Sequence, residues 1–415
     1  MSIAAQAGLG TAVMDRLATL AGFSEDPNNL TRRYLSAEHK QAAGQVKAWM
    51  EEAGMTATLD AVGNVVGRYE ARRPGAPALL IGSHIDTVVD AGWYDGNLGV
   101  VAAIACVGEL ARQGRRLPFA VEVIAFGDEE GSRFPATLTC SGAVAGRFDP
   151  NSLESRDEAG VSVGEALVDF GCDPAAAAAI GRAPGDVHGY VELHIEQGPV
   201  LEAEDLPVGV VTAINGASRL AVRVTGMAGH AGTVPMALRR DALVGAAEMI
   251  AAVEEVGRGG GDGLVATVGR IEALPGTVNV VPGEAHFTLD VRAPDDDVRR
   301  TAVAAIQSRC GDIAARRGLE LSVERTHEAV ATGCAPWIMD QFDAAVARHG
   351  IRLLRLPSGA GHDAMAFNGF CPIGMLFVRC AGGISHNPAE SITVEDADVG
   401  TRVLLDFVER FEPDG

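Results

Sequence analysis

Residues 79–99 read LLIGSHIDTVVDAGWYDGNLG, and the parsing of this stretch decides the fold. A strand-type apolar run, Leu79, Leu80 and Ile81, stops at Gly82, and His84 and Asp86 follow at once. After a turn-rich segment Asp95 stands between Tyr94 and Gly96, just ahead of a helix-like run. A strand end gives a histidine a rigid base, and a loop can bring a carboxylate back beside it. An α/β sheet presents ligands in this way, at the carboxyl ends of its strands.

Working outward, a helix is predicted over 98–112 and a strand over 119–126, in which Glu122 is the only charge. That strand leads into Gly127-Asp128-Glu129-Glu130-Gly131-Ser132-Arg133. Strand, helix, strand in this order predicts a parallel sheet with crossover connections. Upstream, 11–22 carries helical spacing, and Ser36 reads as the N-cap of a helix ending near Gly54. Strands at 55–59 and 65–69 flank a hairpin turn at Gly63-Asn64. Downstream come a helical piece at 162–170, an alanine run at 175–179 and a strand at 189–195 that delivers His194.

From 219 to 326 the pattern changes to strand (219–225), helix (239–256), strand (264–272), strand (284–292), helix (297–317) and strand (319–325). This β-α-β-β-α-β order is a two-layer sandwich complete in itself. A catalytic domain of residues 1–212 and 328–415, interrupted by an inserted domain of 213–327, is therefore predicted. A helix at 337–349, a strand at 372–379, the turn Gly382-Gly383-Ile384-Ser385-His386-Asn387 and a closing helix at 395–411 complete the chain.

Two domains suit 415 residues, and a hydrophobic content of 47% marks a folded protein. A formal charge of −21 argues against nucleic acid, whose phosphates would be repelled. No basic amphipathic segment suggests membrane binding, and no apolar run has the length of a membrane span. The N-terminal stretch lacks the cationic lead and apolar core of a signal peptide. Seven scattered cysteines without CxxC spacing suit reduced thiols. The expectation is a soluble cytoplasmic protein.

The residues placed at strand ends are His84, Asp95, Glu129, Glu130, His194 and His386. Singly, each has an ordinary reading as a loop histidine or a solvated acid. Together they suit two borderline divalent ions such as zinc or manganese. One carboxylate can span ions about 3.5–4 Å apart, as in two-metal hydrolases. Of the neighbours Glu129 and Glu130, one would coordinate and the other would face a water as general base.

The strings GSHIDTV, WYDGNLGV, DEEGSRF, ELHIEQGPVLE, GHAGTVPM, TVNVVPG, SGAGHDAM and GISHNPAE resemble the hydantoinase/carbamoylase amidase branch of the di-metal aminoacylase and carboxypeptidase superfamily. That branch includes N-carbamoyl-L-amino-acid hydrolases, allantoate amidohydrolases and β-ureidopropionases. The resemblance runs from about residue 30 to the C-terminus. It implies a zinc-exopeptidase-like α/β fold, with a mixed, largely parallel sheet flanked by helices. The insert would be a ferredoxin-like α+β lid and dimerisation domain.

It further implies that Asp95 bridges two ions, that His84 and His194 complete one site, and that Glu130 and His386 complete the other. Glu129 would be the base and Asp86 would orient His84. Related peptidases carry a carboxylate where this chain has His194 and a second acid where it has Gly96. The exchange makes the ion pair more electropositive and favours the carbamoylase branch. It leaves the metal open among zinc, manganese, nickel and cobalt.

By the same resemblance, Arg292 would hold a substrate carboxylate in a two-pronged grip, Asn279 would add a donor, and His230 would stabilise the oxyanion. Gln197, and His362 in Gly361-His362-Asp363, would face the ureido end. Arg292 has a plainer alternative in Asp290 or Asp295. A homodimer through the insert is implied, with His230 and Asn279 acting in their own or the neighbouring subunit.

The expected activity is metal-dependent cleavage of the ureido C–N bond of a small carboxylate, an N-carbamoyl-L-amino acid or allantoate. The alternatives are an N-acyl-amino-acid amidohydrolase or exopeptidase of the same superfamily, and a non-catalytic metal-binding protein. Gly259-Gly260-Gly261 lacks the Lys-Ser/Thr of a phosphate loop, Asp295-Asp296-Asp297 reads as a helix start, and Cys140 has no base nearby in the sequence.

Overall fold

The structure is a computed structural model and describes residues 8–261 and 263–413. The first seven residues of the N-terminal reading lie outside the described residues. In chain order the elements begin with α1 (Leu9–Ala21), α2 (Ala37–Glu52), β1 (Thr56–Leu59), β2 (Val65–Tyr69), β3 (Ala78–His84), α3 (Asn97–Arg112) and β4 (Ala120–Phe126). Next come α4 (Thr139–Val144), α5 (Val163–Phe170), β5 (Val187–Ile195), α6 (Val200–Ala203), β6 (Val208–Ile214), β7 (Gly216–Thr225) and β8 (Gly229–His230). They continue with α7 (Ala242–Gly259), β9 (Val265–Thr267), β10 (Ile271–Leu274), β11 (Val280–Val281), β12 (Glu284–Ala293), α8 (Asp296–Arg317), β13 (Glu320–Ala329) and β14 (Thr332–Gly333). The last are α9 (Pro336–Arg348), β15 (Arg355–Ser358), β16 (Ile373–Val378) and α10 (Val394–Arg410).

These elements form two compact units. The first runs to Thr212 and takes in Cys334–Leu356 and the chain from His362; the second is Ala213–Gly333 with Pro357–Gly361. The second unit thus ends at Gly333, where the sequence pattern suggested 327, and it also holds the short 357–361 segment. That segment begins inside β15, a four-residue strand too short to show a period in the sequence.

In the first unit the strands lie in the order β1-β2-β4-β3-β5-β16-β6. The central four are parallel: β4 pairs β3, β3 pairs β5 and β5 pairs β16. The flanking pairs are antiparallel. Strands β3 and β4 are buried along their whole length, which is why they read as unbroken apolar runs without alternation. Glu122, the single charge in β4, is held by Arg68 at 2.8 Å and Arg182 at 3.1 Å. Helix α3 packs on β3, β4 and β5 and is covered in turn by α1, α2 and α10, so it is apolar nearly all round. Each of its fully buried valine, leucine and isoleucine side chains contributes about 1.5–3 kcal/mol.

The β1–β2 hairpin forms, but its loop is wider than the two-residue turn expected. Asp60 N–H donates to Asn64 O at 2.9 Å, and the Asp60 carboxylate accepts from Val62 N and Asn64 N. Side-chain caps reward an aspartate more than a tight turn would here.

In the second unit the strand order is β10-β12-β7-β13, all antiparallel. Burial alternates along β7 and β12, so Leu220, Val222, Val224, Phe287, Leu289 and Val291 face Met249 and Val253 of α7 and Val303 and Ile306 of α8. The single strand expected at 264–272 is two: β9 pairs β12 at Asp290–Arg292 and β10 pairs it at Glu284–Phe287. Asp295 caps α8 by accepting from Asp297 N and Val298 N, as an acidic helix start suggests. All seven cysteines are unpaired, and five of them are buried. No helix among the described residues is long and apolar enough to cross a membrane.

Candidate metal centre

Four neighbouring parallel strands deliver the candidate ligands. His84 is the last residue of β3, and His194 stands one residue before the end of β5. Glu129 and Glu130 follow β4, and His386 follows β16. Two groups of three close around Asp95: His84, Asp95 and His194, and Asp95, Glu130 and His386, each with donor atoms within 4.8 Å of one another. His84 Nε2 lies 3.3 Å and His194 Nε2 3.1 Å from Asp95 Oδ1. His386 Nε2 lies 3.5 Å from both Asp95 Oδ2 and Glu130 Oε2.

The tautomers follow from the backbone. His84 Nδ1 contacts Asp86 O at 3.0 Å and His194 Nδ1 contacts Ile195 O at 2.9 Å. A carbonyl can only accept, so Nδ1 carries a proton in both rings and Nε2 is the atom turned toward Asp95. Gly96 N–H donates to Nε2 of His194 at 3.2 Å. Two imidazole Nε2 atoms therefore converge on one carboxylate oxygen, an arrangement that a shared cation would suit.

Electrostatics point the same way. Burial and the Asp95 charge push Glu130 up to about 7. Burial also raises Glu129 well above the usual carboxylate value, with Glu130 and Asp363 adding to it and His84 opposing. Burial disfavours charge on Asp95, but His194, His386 and His84 hold it well below the usual value. Burial likewise opposes protonation of His84, and hydrogen bonding to Asp86 and Asp95 overrides it, so its pKa rises well above that of free imidazole. The hydrogen bond to Asp95 lifts His386 to about 9. The acids and imidazoles of the cluster draw positive charge in among them, a place that divalent cations would fill instead of protons. The donor set, nitrogen and oxygen only, suits zinc or manganese.

Asp86 does more than the sequence suggested. Its carbonyl, not its carboxylate, makes the shorter contact to His84, since Oδ1 is 3.5 Å from Nδ1. Its carboxylate accepts from Glu129 N–H at 3.2 Å and Glu130 N–H at 3.1 Å, fixing the acidic pair. Gln197 Nε2 donates to Asp95 Oδ2 at 2.7 Å, and its buried Oε1 has no protein partner. His362 is buried and packs edge-on against His194, with ring centroids 4.5 Å apart, so it backs a candidate ligand. Burial holds His362 well below the usual imidazole value. A third group, Glu192 with His194 and His362, is also compact. Glu192, however, already accepts from Ser83 Oγ, Tyr190 OH and Ala364 N, which leaves it little capacity for an ion.

Sequence reading missed Arg32. Its guanidinium is fully buried and donates to Ile85 O at 2.7 Å, Leu20 O at 2.6 Å and Asn97 Oδ1 at 2.6 Å. It thereby ties the loop after β3 to the start of α3, on either side of Asp95. An arginine in a polar stretch carries no local sign of such a role.

His230, Asn279, Arg292 and Gly361 belong to the second unit. His230, on β8, pairs with Val280, and its Nδ1 accepts from Gly232 N at 3.0 Å. Asn279 O accepts from Ala231 N. Arg292 grips Asp290 through Nε at 2.9 Å and Nη2 at 3.0 Å, and donates from Nη1 to Gly359 O at 2.7 Å. The plainer of its two partners is therefore realised. Arg292 and Asp290 line a groove of about 660 Å³ on the open face of the second unit's sheet.

Comparison with known proteins supplies the family. Residues 80–410 match Peptidase family M20/M25/M40. Allantoate deiminase of Arabidopsis thaliana is 41% identical over 97% of this chain and 83% of its own. N-carbamoyl-L-amino acid amidohydrolase of Geobacillus stearothermophilus is 41% identical over 96% of this chain and 98% of its own. The crystal structure of a hydantoinase/carbamoylase family amidase from Burkholderia multivorans superposes with a TM-score of 0.92 at 35% identity, covering 98% of both chains. With these matches spanning both units, the chain belongs to the M20/M25/M40 peptidase family, within its hydantoinase/carbamoylase amidases.

Proposed function

We propose that this chain is a metal-dependent amidohydrolase that cleaves the ureido C–N bond of a small carboxylate, an N-carbamoyl-L-amino acid or allantoate. The observation that carries the reading is the pair of ligand groups sharing Asp95, with Glu129 and its raised pKa beside them. The relatives named for allantoate and for N-carbamoyl amino acids are equally similar, so the class of bond is better supported than the substrate.

In this reading His84 and His194 would hold one divalent ion and Glu130 and His386 the other, with Asp95 contributing to both groups. Zinc or manganese is expected, and nickel or cobalt would fit the same donors. A bound pair supplies Lewis-acid polarisation of the ureido carbonyl and acidifies a nearby water. Glu129 takes the proton of the attacking water and returns it to the departing nitrogen. The Nδ1–H bonds of His84 and His194 keep both rings aimed with Nε2 inward throughout. The unpartnered Gln197 Oε1 can accept from a ureido N–H. Arg292 and Asn279 are assigned to the substrate carboxylate and His230 to the oxyanion. Gly361 and His362 are assigned to the ureido side, His362 acting through the His194 ring. The inserted unit is assigned the lid and dimerisation roles in a homodimer, and unpaired thiols suit a reducing compartment such as the cytoplasm.

The test is ammonia release from allantoate and N-carbamoyl amino acids, set beside release of the free amino acid from N-acyl amino acids, with zinc or manganese added. Turnover confined to a ureido substrate is expected. A preference for N-acyl amino acids would move the assignment to the aminoacylases.

A further inference from the structure

The carboxylate shared by the two ligand groups is itself held in place by a second, buried carboxylate. Glu390, 5% exposed, lies 295 residues along the chain from Asp95. Its Oε1 accepts from Tyr94 N–H at 2.8 Å and from Asp95 N–H at 3.1 Å. Its Oε2 contacts Ser385 Oγ at 3.0 Å, and Ser385 Oγ lies 2.6 Å from Asp95 Oδ2. Glu390 thus grips Asp95 at its amide, and the single Ser385 hydroxyl proton, within reach of both carboxylates, can go to only one of them at a time. The main chain opposite has been kept clear for it: a Cβ on Gly92 would lie 2.3–2.4 Å from Glu390 atoms. Glu390 also follows His386 by four residues, so a single segment carries a candidate ligand and the clamp on the shared one.

We propose that Glu390 is a positioning residue for Asp95, and through it for both ions at once. The inference rests on the two-ion reading above. Without this acceptor two buried N–H groups lose their partner, and the 94–95 backbone relaxes to find others. Because Asp95 belongs to both groups, both affinities fall together, whereas loss of a ligand to one ion weakens one site. Groups that orient a metal ligand are worth about 10–100-fold in affinity.

The experiment uses the full chain, stripped by chelation and titrated with Zn2+ or Mn2+ against an indicator chelator, with the apo melting temperature measured beside it. Glu390→Ala and Gly92→Ala are expected to weaken both ions about 10–100-fold. Glu390→Gln should stay close to wild type, because an amide oxygen still accepts both N–H groups. His386→Ala should weaken one ion only. Should Glu390→Ala fail to fold, Gly92→Ala displaces the same carboxylate without deleting it. Two ions bound by Glu390→Ala with wild-type affinity, or one weakened alone, would overturn the proposal. A wild-type chain that takes up fewer than two ions would overturn the two-ion reading and the proposal together.

Discussion

At Gly96 a methyl group would sit 2.4 Å from Nε2 of His84, and φ is +66°, a conformation glycine tolerates. The acid that related peptidases carry there cannot be accommodated while His84 keeps this pose. Gly96→Asp is therefore expected to lower metal content, measured by elemental analysis after dialysis; full occupancy would show that His84 has room to move. Glu129 has a different signature: it closes a group with His84 and Glu130 but belongs to neither of the two around Asp95. Glu129→Gln should keep its metal and lose about 10²–10⁴ in turnover, the worth of a general base. Near-normal turnover would sink the assignment. The candidate ligands were legible because each is a His, Asp or Glu, and all but Asp95 sit where a strand-like run stops. Arg32 and Glu390 were not, because they act on backbone groups of loops remote in sequence, and such partnerships leave no periodic trace.

Among the elements, α7 and α8 show how far pattern reading reaches. Their boundaries were legible within a few residues from apolar spacing, but not the charges that join them. Glu248 on α7 accepts from Arg317 and, at 2.8 Å, from Arg316 on α8. Hydrogen bonding to Arg317, then its charge and that of Arg316, lowers Glu248 to about 2 from an ordinary 4.5. A carboxyl whose folded pKa is depressed stabilises above its unfolded pKa, and loses that contribution as pH falls through the folded value. The melting-temperature difference between wild type and Glu248→Gln should therefore hold above about pH 4.5 and vanish toward pH 2. The group is largely solvated, so the difference should be small, about 0.2–1 kcal/mol. A difference that grows on acidification would contradict the pairing. Strand β6 escaped the sequence reading because its apolar run, 208–214, leads almost directly into β7 at Gly216. Without a turn signal between them the two merge into one change of character.

For the whole molecule, the two-ion reading predicts that chelation costs stability as well as activity. A ligand at about 100 times its dissociation constant adds about 2.7 kcal/mol to the folded state. Calorimetry with and without chelator should show a corresponding fall in melting temperature, and an unchanged one would argue against resident ions. The largely parallel α/β architecture and the ferredoxin-like order of the insert were both legible in the alternation of strand and helix. The 357–361 segment was not, because five residues carry no period. One consequence concerns the thiols. Burial raises Cys310 and Cys380 to about 11 and Cys334 and Cys371 to about 12, and it pushes Cys140 well above the usual thiol value. At neutral pH almost none of these is a thiolate, so alkylating reagents should label the native chain slowly and the opened chain fast. With Cys310 in the insert and Cys140 and Cys380 in the metal-bearing unit, mass-resolved labelling gives each unit its own built-in clock for opening.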